Sequence, residues 1–350
     1  MTVTTLVDHV RFGLVLDDPT VTGVTLECDS VLAGGRDLER TDDGWVLDLP
    51  RPDLARIEYR FRVHRGSETE EVLDPANPLT VRTAFGERSV VELPGYLRPW
   101  WLDADAPDGR FEAQAVAGET THDVPVTVWS PEGLADEDPA PMLVVHDGPE
   151  YDDLADVTRY SAALVAAGTL PPHRVALAHP VARDAWYSGS PRYLRTISAA
   201  GIDRLAARYA LTGPVAVMGA SLGGLTALLV GLTGAPRVGA VFSQSGSFFQ
   251  LRHDHSESGY RYFDRISRAV QAVLDMREAE HPLVVGLTCG AQEENAANNR
   301  DMAAALRRAG HDVRHREVPD LHNYTAWRDA LDPALTEVLQ AVWSGHRGRD

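Results

Sequence analysis

Two hydrophobic rhythms divide this chain. Over its first hundred residues apolar and polar positions alternate singly, as in Val24-Thr25-Leu26-Glu27-Cys28, Trp45-Val46-Leu47-Asp48-Leu49 and Ile57-Glu58-Tyr59-Arg60-Phe61-Arg62-Val63. A period of two suits a strand with one face in a core and the other in water, because successive side chains point to opposite faces. Clusters such as Ala33-Gly34-Gly35 and Asp42-Asp43-Gly44 punctuate these runs as turns. Short alternating strands with turn signals between them predict a small β-sandwich over residues 1–97.

From about residue 111 the rhythm changes to short unbroken apolar runs: Pro141–Val145, Arg174–Leu177, Pro214–Met218, Val238–Phe242 and Pro282–Leu287. Such runs fit strands covered on both faces, as in a parallel sheet. Helix candidates lie between them, at Thr158–Ala167, Ile202–Tyr209, Leu222–Leu232 and Asn295–Ala309, the last stopped by Gly310. This alternation predicts a doubly wound α/β catalytic domain over residues 111–350. Residues 98–110 hold Pro, Gly and Asp without periodicity and read as a linker. The bulky pair Trp100-Trp101 is expected to anchor it by packing, with a ligand platform as the other use of such rings.

Composition narrows the function. The chain is 44% hydrophobic and 24% charged, as in an ordinary globular protein. No apolar run reaches the roughly 18 residues of a membrane span, and the first residues lack a basic stretch followed by an apolar run, so a cytoplasmic location is expected. Cys28 and Cys289 are too few for a disulfide framework and read as small buried thiols. A net charge of −18 repels phosphate backbones and anionic lipid, which excludes nucleic acid and membrane as expected partners and leaves a small molecule. All 33 basic residues are Arg, so Schiff-base chemistry and a Walker-A lysine are both ruled out.

The strongest local signal is Gly219-Ala220-Ser221-Leu222-Gly223, a G-x-S-x-G sequence between a predicted strand and a predicted helix. That context describes a nucleophile elbow, and hence an α/β-hydrolase fold. Gly219 and Gly223 would otherwise carry side chains colliding across the turn, and Gly224 lets the helix approach the sheet. The Leu222 N–H at the helix N-terminus can stabilise an oxyanion. In this fold the nucleophile is followed by an acid and then a histidine. His322 follows the predicted last strand, Val313–Val318, and suits the base, whereas His311 precedes that strand and His315 lies within it. The acid should follow the preceding strand, where Glu293 and Glu294 compete; the position three after Gly290 favours Glu293. A second oxyanion donor should come from His146-Asp147-Gly148-Pro149, with the Asp147 and Gly148 N–H groups as candidates because Pro149 has none. Arg252-His253-Asp254-His255 has a ligand-like look, but two histidines in a polar loop do not supply the three protein ligands of a zinc site, so no metal and no cofactor is expected.

Arg183–Ser188, the elbow, Gln244-Ser245-Gly246-Ser247-Phe248-Phe249, Cys289-Gly290 with Glu293, and His322-Asn323-Tyr324 with Trp327-Arg328 occur in this order. Together they resemble the enterochelin esterase branch of the putative esterase family. The N-terminal strands, with Asp74-Pro75-Ala76-Asn77-Pro78 after them, resemble the early-set immunoglobulin-like module that precedes the catalytic domain in that branch. The resemblance implies hydrolysis of the ester bonds of a ferric catecholate siderophore. It also suggests Arg183, Trp186 and Tyr187 as substrate contacts, with Arg192 and Arg195 adding positive charge. Ala185 and Tyr324 depart from the Glu and Trp common at those places in the family. A general carboxylesterase, an acyltransferase and a non-catalytic glycan-binding module with a decayed hydrolase are the alternatives.

Overall fold

A computed structural model describes residues 3–5, 8–28, 35–234 and 236–343. The chain forms two compact units, one of residues 1–97 together with 319–323, the other of residues 98–318 and 324–350. The expected turn at Ala33-Gly34 lies outside the described residues.

The first unit is built from β1 (Thr4–Thr5), β2 (His9–Leu14), β3 (Gly23–Cys28), β4 (Glu39–Thr41), β5 (Gly44–Pro50), β6 (Arg56–Arg65), β7 (Glu68–Val72), β8 (Thr80–Thr83) and β9 (Gly86–Glu92). Among the described residues they make one sheet in the order β1-β2-β5-β4 and a second in the order β3-β6-β9-β8, with β7 on β6. All the pairings are antiparallel. Alternate residues of both sheets, Val10, Phe12, Leu26, Tyr59 and Phe61 among them, share one buried cluster, which accounts for the period of two. The Tyr59 ring meets Phe12 and Phe61 edge-on, while its hydroxyl donates to Asp74 Oδ2 at 2.7 Å and accepts from Asn77 Nδ2 at 3.1 Å. Leu321, far along the chain, belongs to the same cluster.

The second unit contains β10 (Arg110–Val116), β11 (Val124–Ser130), β12 (Met142–His146), β13 (Arg174–Ala178), β14 (Val215–Ala220), β15 (Val238–Gln244), β16 (Val284–Gly290) and β17 (Asp312–Val318). Their order in the sheet is β10-β11-β13-β12-β14-β15-β16-β17. The pairings β10-β11 and β11-β13 are antiparallel and the rest are parallel. The helices are α1 (Gly148–Ala155), α2 (Val157–Ala166), α3 (Arg183–Tyr187), α4 (Pro191–Arg195), α5 (Ile202–Arg208), α6 (Leu222–Gly234), α7 (Phe263–Leu274), α8 (Ala296–Arg308), α9 (Tyr324–Asp329) and α10 (Thr336–Trp343). Met142 and Val144 of β12 face a cluster that includes residues of α3 to α8. Leu143 and Val145 face the opposite cluster, to which α1, α2, α9 and α10 contribute. Cover on both faces is why this strand reads as an unbroken apolar run. The parallel strands with helices on both faces, extended by an antiparallel edge, form the expected α/β-hydrolase arrangement.

Trp101, in the expected linker, is fully buried with its ring edge-on to Tyr160, and half-exposed Trp100 donates its indole N–H to Asp332. Both side chains thus engage the second unit. Of the antiparallel strands, the edge strand β10 carries a weak apolar pattern, whereas β11 alternates with Val124, Val126 and Val128 buried; neither is among the unbroken apolar runs that predict the parallel strands.

Tyr59→Phe should destabilise the first unit by about 1–3 kcal/mol, because the Asp74 carboxylate and Asn77 amide lose a buried partner while the ring packing remains. The measurement is the denaturant midpoint of the full chain; an unchanged midpoint would remove this network from the stabilising contacts.

Candidate active site

Ser221 stands between the end of β14 and the start of α6, with φ at +55°. A side chain in left-handed backbone costs about 1–2 kcal/mol, so the surroundings must hold it there. The Ser221 N–H donates to Gln244 O at 2.9 Å, and its carbonyl accepts from Leu225 N–H at 3.1 Å and Ser247 N–H at 3.0 Å. The glycines work as their spacing predicts. A Cβ on Gly219 would lie 2.5 Å from the Gly223 backbone, and one on Gly224 would lie 2.6 Å from Ser243 Oγ. Leu222 opens a 13-residue helix, so its N–H sits at the positive end of the helix dipole. Ser221 Oγ is 3.3 Å from Ser247 Oγ.

The loop after β15 carries that second serine and ties the elbow to the acid. Ser245, also left-handed at φ +47°, donates its N–H to Thr288 O at 2.7 Å. Its hydroxyl donates to Glu293 Oε1 at 2.8 Å and accepts from Trp327 Nε1 at 3.0 Å. The same carboxylate oxygen accepts from Gly290 N–H at 2.7 Å. Asn299 clasps Gly246, donating to its carbonyl at 2.9 Å and accepting from its N–H at 3.2 Å. Asn295 donates to Ser245 O at 3.1 Å. Glu293 is buried within this network, and Glu294 is exposed. Burial, reinforced by the charge of Glu293, raises the pKa of the neighbouring Cys289 thiol far above its ordinary range, so that sulfur stays protonated.

The loop after β12 differs in one respect from the sequence reading. Asp147, at φ +54°, donates its N–H to Tyr187 Oη at 3.1 Å, so that group is already engaged. Gly148 opens α1, where a Cβ would lie 2.4 Å from Leu177 Cα. The Asp147 carboxylate takes a two-pronged grip from Arg183, Nε to Oδ1 and Nη2 to Oδ2, each at 2.8 Å. Burial opposes the Arg183 charge, but the paired carboxylate outweighs it and raises the pKa. Burial pushes the pKa of His146 down to about 4, partly offset by the hydrogen bond to Met218 O, so this imidazole is neutral at pH 7.

The residues expected to touch substrate have protein partners of their own. Tyr187 is fully buried, and Trp186 stacks on Tyr193 with centroids 5.1 Å apart, both within the core of the second unit. Arg183 grips Asp147, and Arg195 pairs in two-pronged fashion with Glu119, so these guanidinium charges are largely balanced. Sequence spacing cannot register such pairing, because the partners lie 36 and 76 residues away. In the ligand-like loop, Arg252 and His253 both bond Asp301, and Asp254 accepts from Gln250 N–H and Asn298. Among the described residues no group of three or more His, Cys, Asp or Glu side chains could hold a metal ion.

His322 occupies the segment 319–323 assigned to the first unit, between β17 and α9 in the chain. The Pro319 carbonyl accepts from Ala55 N–H, and Asp320 accepts from Arg56 Nε at 3.2 Å. The positions of Ser245 and Trp327 around Glu293 escaped the sequence reading, although both lie in the segments that carry the family resemblance.

The sequence profile of the family described as "Putative esterase" matches residues 117–338. The chain is 26% identical over 319 residues to the iron(III) enterobactin esterase of Escherichia coli O6:H1, covering 87% of this chain and 75% of that protein. The solved structure of ferric enterobactin esterase from Salmonella typhimurium superposes with a TM-score of 0.77 at 20% identity, covering 96% of this chain and 94% of that one. The Shigella flexneri enterobactin esterase, solved in the presence of enterobactin, gives 0.75 at 19% identity, covering 96% and 93%. These structural likenesses carry the fold, and the profile spans well over half the chain. The chain belongs to the putative esterase family and is an esterase on the α/β-hydrolase fold.

Proposed function

We propose that this esterase is a serine hydrolase working through Ser221, Glu293 and His322, and that its substrate is a catecholate siderophore ester. The observation carrying the reading is the left-handed backbone of Ser221 at the junction of β14 and α6. That conformation is costly, and it is the one expected of a serine at the sharp strand-to-helix turn of a nucleophile elbow. His322 takes the Ser221 proton as Oγ attacks the ester carbonyl, and the N–H groups of Leu222 and Gly148 receive the oxyanion. Asp147 is the weaker candidate for that role because its N–H is engaged by Tyr187. The tetrahedral intermediate collapses, the alcohol leaves with the proton from His322, and an acyl-Ser221 remains. Water then attacks with His322 again as base, releasing the acid and restoring the serine. Glu293 orients the imidazole and stabilises its charged form, while Ser245 and Gly290 hold the carboxylate. A small molecule is the proposed partner, and iron enters only as cargo of the ester. Support for the siderophore comes from the enterobactin esterase relatives and from their likeness over nearly the whole chain. With only two cysteines, both buried, we place the protein in the cytoplasm.

Ser221→Ala and His322→Ala should each lower kcat by about 10⁴-fold or more, and the double variant should be little worse, since members of a triad act as a unit. Additive losses in kcat would contradict a shared role. A second expectation compares the two acids: Glu293→Gln should reduce kcat well below the level of Glu294→Gln in steady-state assays, and the reverse order would move the acid to Glu294. The substrate can be tested by comparing kcat/KM for a catecholate triester and a p-nitrophenyl ester. The triester should be preferred; failure to hydrolyse it alongside good aryl esterase activity would leave a general carboxylesterase. In the same assays Arg183→Ala should impair both substrates alike, on the order of 10- to 100-fold, because it frees Asp147 beside the oxyanion loop. A loss confined to the catecholate would restore Arg183 to the substrate wall.

A further inference from the structure

We propose that Arg56 is a positioning residue for His322, with its guanidinium setting the shape of the loop that carries the base. The proposal rests on the reading of His322 as that base.

The loop Pro319-Asp320-Leu321-His322-Asn323 is held to the first unit at several points. Ala55 N–H donates to Pro319 O, and the Leu321 side chain is buried in the sandwich core. Arg56, at the start of β6, then bonds the side chains on both sides of His322. Its Nε donates to Asp320 Oδ2 at 3.2 Å, and its Nη2 donates to Asn323 Oδ1 at 3.2 Å. Asn323 Nδ2 donates to Asp320 Oδ1 at 3.2 Å, which closes a ring of three side chains. The same Asp320 oxygen accepts Leu321 N–H at 2.8 Å, and Asn323 N–H donates to Leu321 O at 2.9 Å, so the backbone turn is bound into the ring. Arg56 is in turn steadied by Glu58 Oε1 at 3.3 Å and by the Tyr96 ring, 5.7 Å from the guanidinium carbon.

A buried ion pair contributes little net stability compared with apolar residues of similar size, because desolvation offsets the attraction. Arg56 and Asp320 are both nearly inaccessible to solvent, so stability alone is a weak reason for placing a charge pair there. Geometry is the stronger one. A planar guanidinium offers donors at a fixed spread that matches Asp320 and Asn323 at once, whereas an ammonium on a flexible stem has no such rigid fork. Misplacing a proton-transfer group by about 1 Å can cost on the order of 100-fold in rate.

The experiment measures kcat, KM, thermal midpoint and the rate of Ser221 labelling by an organophosphonate for Arg56→Met, Arg56→Lys and Asp320→Asn in the full chain. Tyr59→Phe serves as a control for destabilisation of the same unit through a hydroxyl that bonds Asp74 and Asn77 and not the loop. The Arg56 variants should lose on the order of 100-fold in kcat with KM nearly unchanged, with labelling slowed in parallel, since both reactions need the base in place. Tyr59→Phe should keep wild-type kcat. Wild-type kcat in a folded Arg56→Lys, beside an inactive His322→Ala, would overturn the positioning role and leave the triad reading intact. An equal loss of kcat in Tyr59→Phe would also overturn it, marking the effect as general destabilisation. Should Arg56→Met fail to fold, Arg56→Lys and Asp320→Asn decide the matter. Full activity in His322→Ala would instead remove the triad reading itself.

Discussion

The backbone of Ser221 is the constraint on which the rest of this site depends. A serine at φ +55° cannot hold that conformation alone. It persists because its N–H is bound by Gln244 and its carbonyl by Leu225 and Ser247, and because Gly219 and Gly224 leave no room for a Cβ in the turn around it. Each support comes from a neighbouring element of the central sheet or its helix α6. The left-handed Ser221 backbone is therefore held by the packing of the surrounding domain as well as by the motif itself.

The buried polar groups behind the elbow extend this constraint. Gln244 accepts from Tyr151 and donates to Thr288 and to the Trp327 carbonyl, joining β15, β16, α1 and α9. Ser245 passes the connection to Glu293, and Asn299 fixes the intervening glycine. Within a low-dielectric interior every unpaired polar atom is expensive, so a network whose members satisfy one another resists rearrangement. The loops that carry Ser221 and Glu293 are held through shared partners, since Gln244 O accepts the Ser221 N–H and the adjacent Ser245 donates to Glu293.

The grip of Arg183 on Asp147 shows why charge counted along a sequence misleads. An arginine-bearing segment reads as a positive surface suited to an anionic ligand. In the fold the Arg183 charge is balanced by a carboxylate from another loop, and Arg195 is balanced by Glu119. Arg183 then matters more for the geometry of the Asp147–Gly148 turn than for the electrostatic field of the surface. The negative net charge of the chain is compatible with this bookkeeping, since its many arginines are widely engaged by acids.

The amino-acid order by itself determined the class of fold, because periods of two and unbroken apolar runs follow from one-sided and two-sided burial. It also determined the elbow, because a sharp strand-to-helix turn around Ser221 admits few residues but glycine at Gly219 and Gly224. The strands from Val215 and Val284 and the helices from Leu222 and Ala296 lie where the pattern puts them, to within a few residues. The edge strand β10 carries only a weak apolar pattern, since an edge needs less burial, whereas β11 is paired on both sides and alternates at Val124, Val126 and Val128. Only the tertiary structure decided that Trp186 and Tyr187 are interior, that the Asp147 N–H is engaged, and that Glu293, rather than its neighbour Glu294, is the buried acid. It alone joined Arg56 to Asp320 across 264 positions. The physical reason is that periodicity reports how a residue faces its own element, whereas hydrogen bonds and ion pairs depend on which distant elements packing brings within about 3 Å.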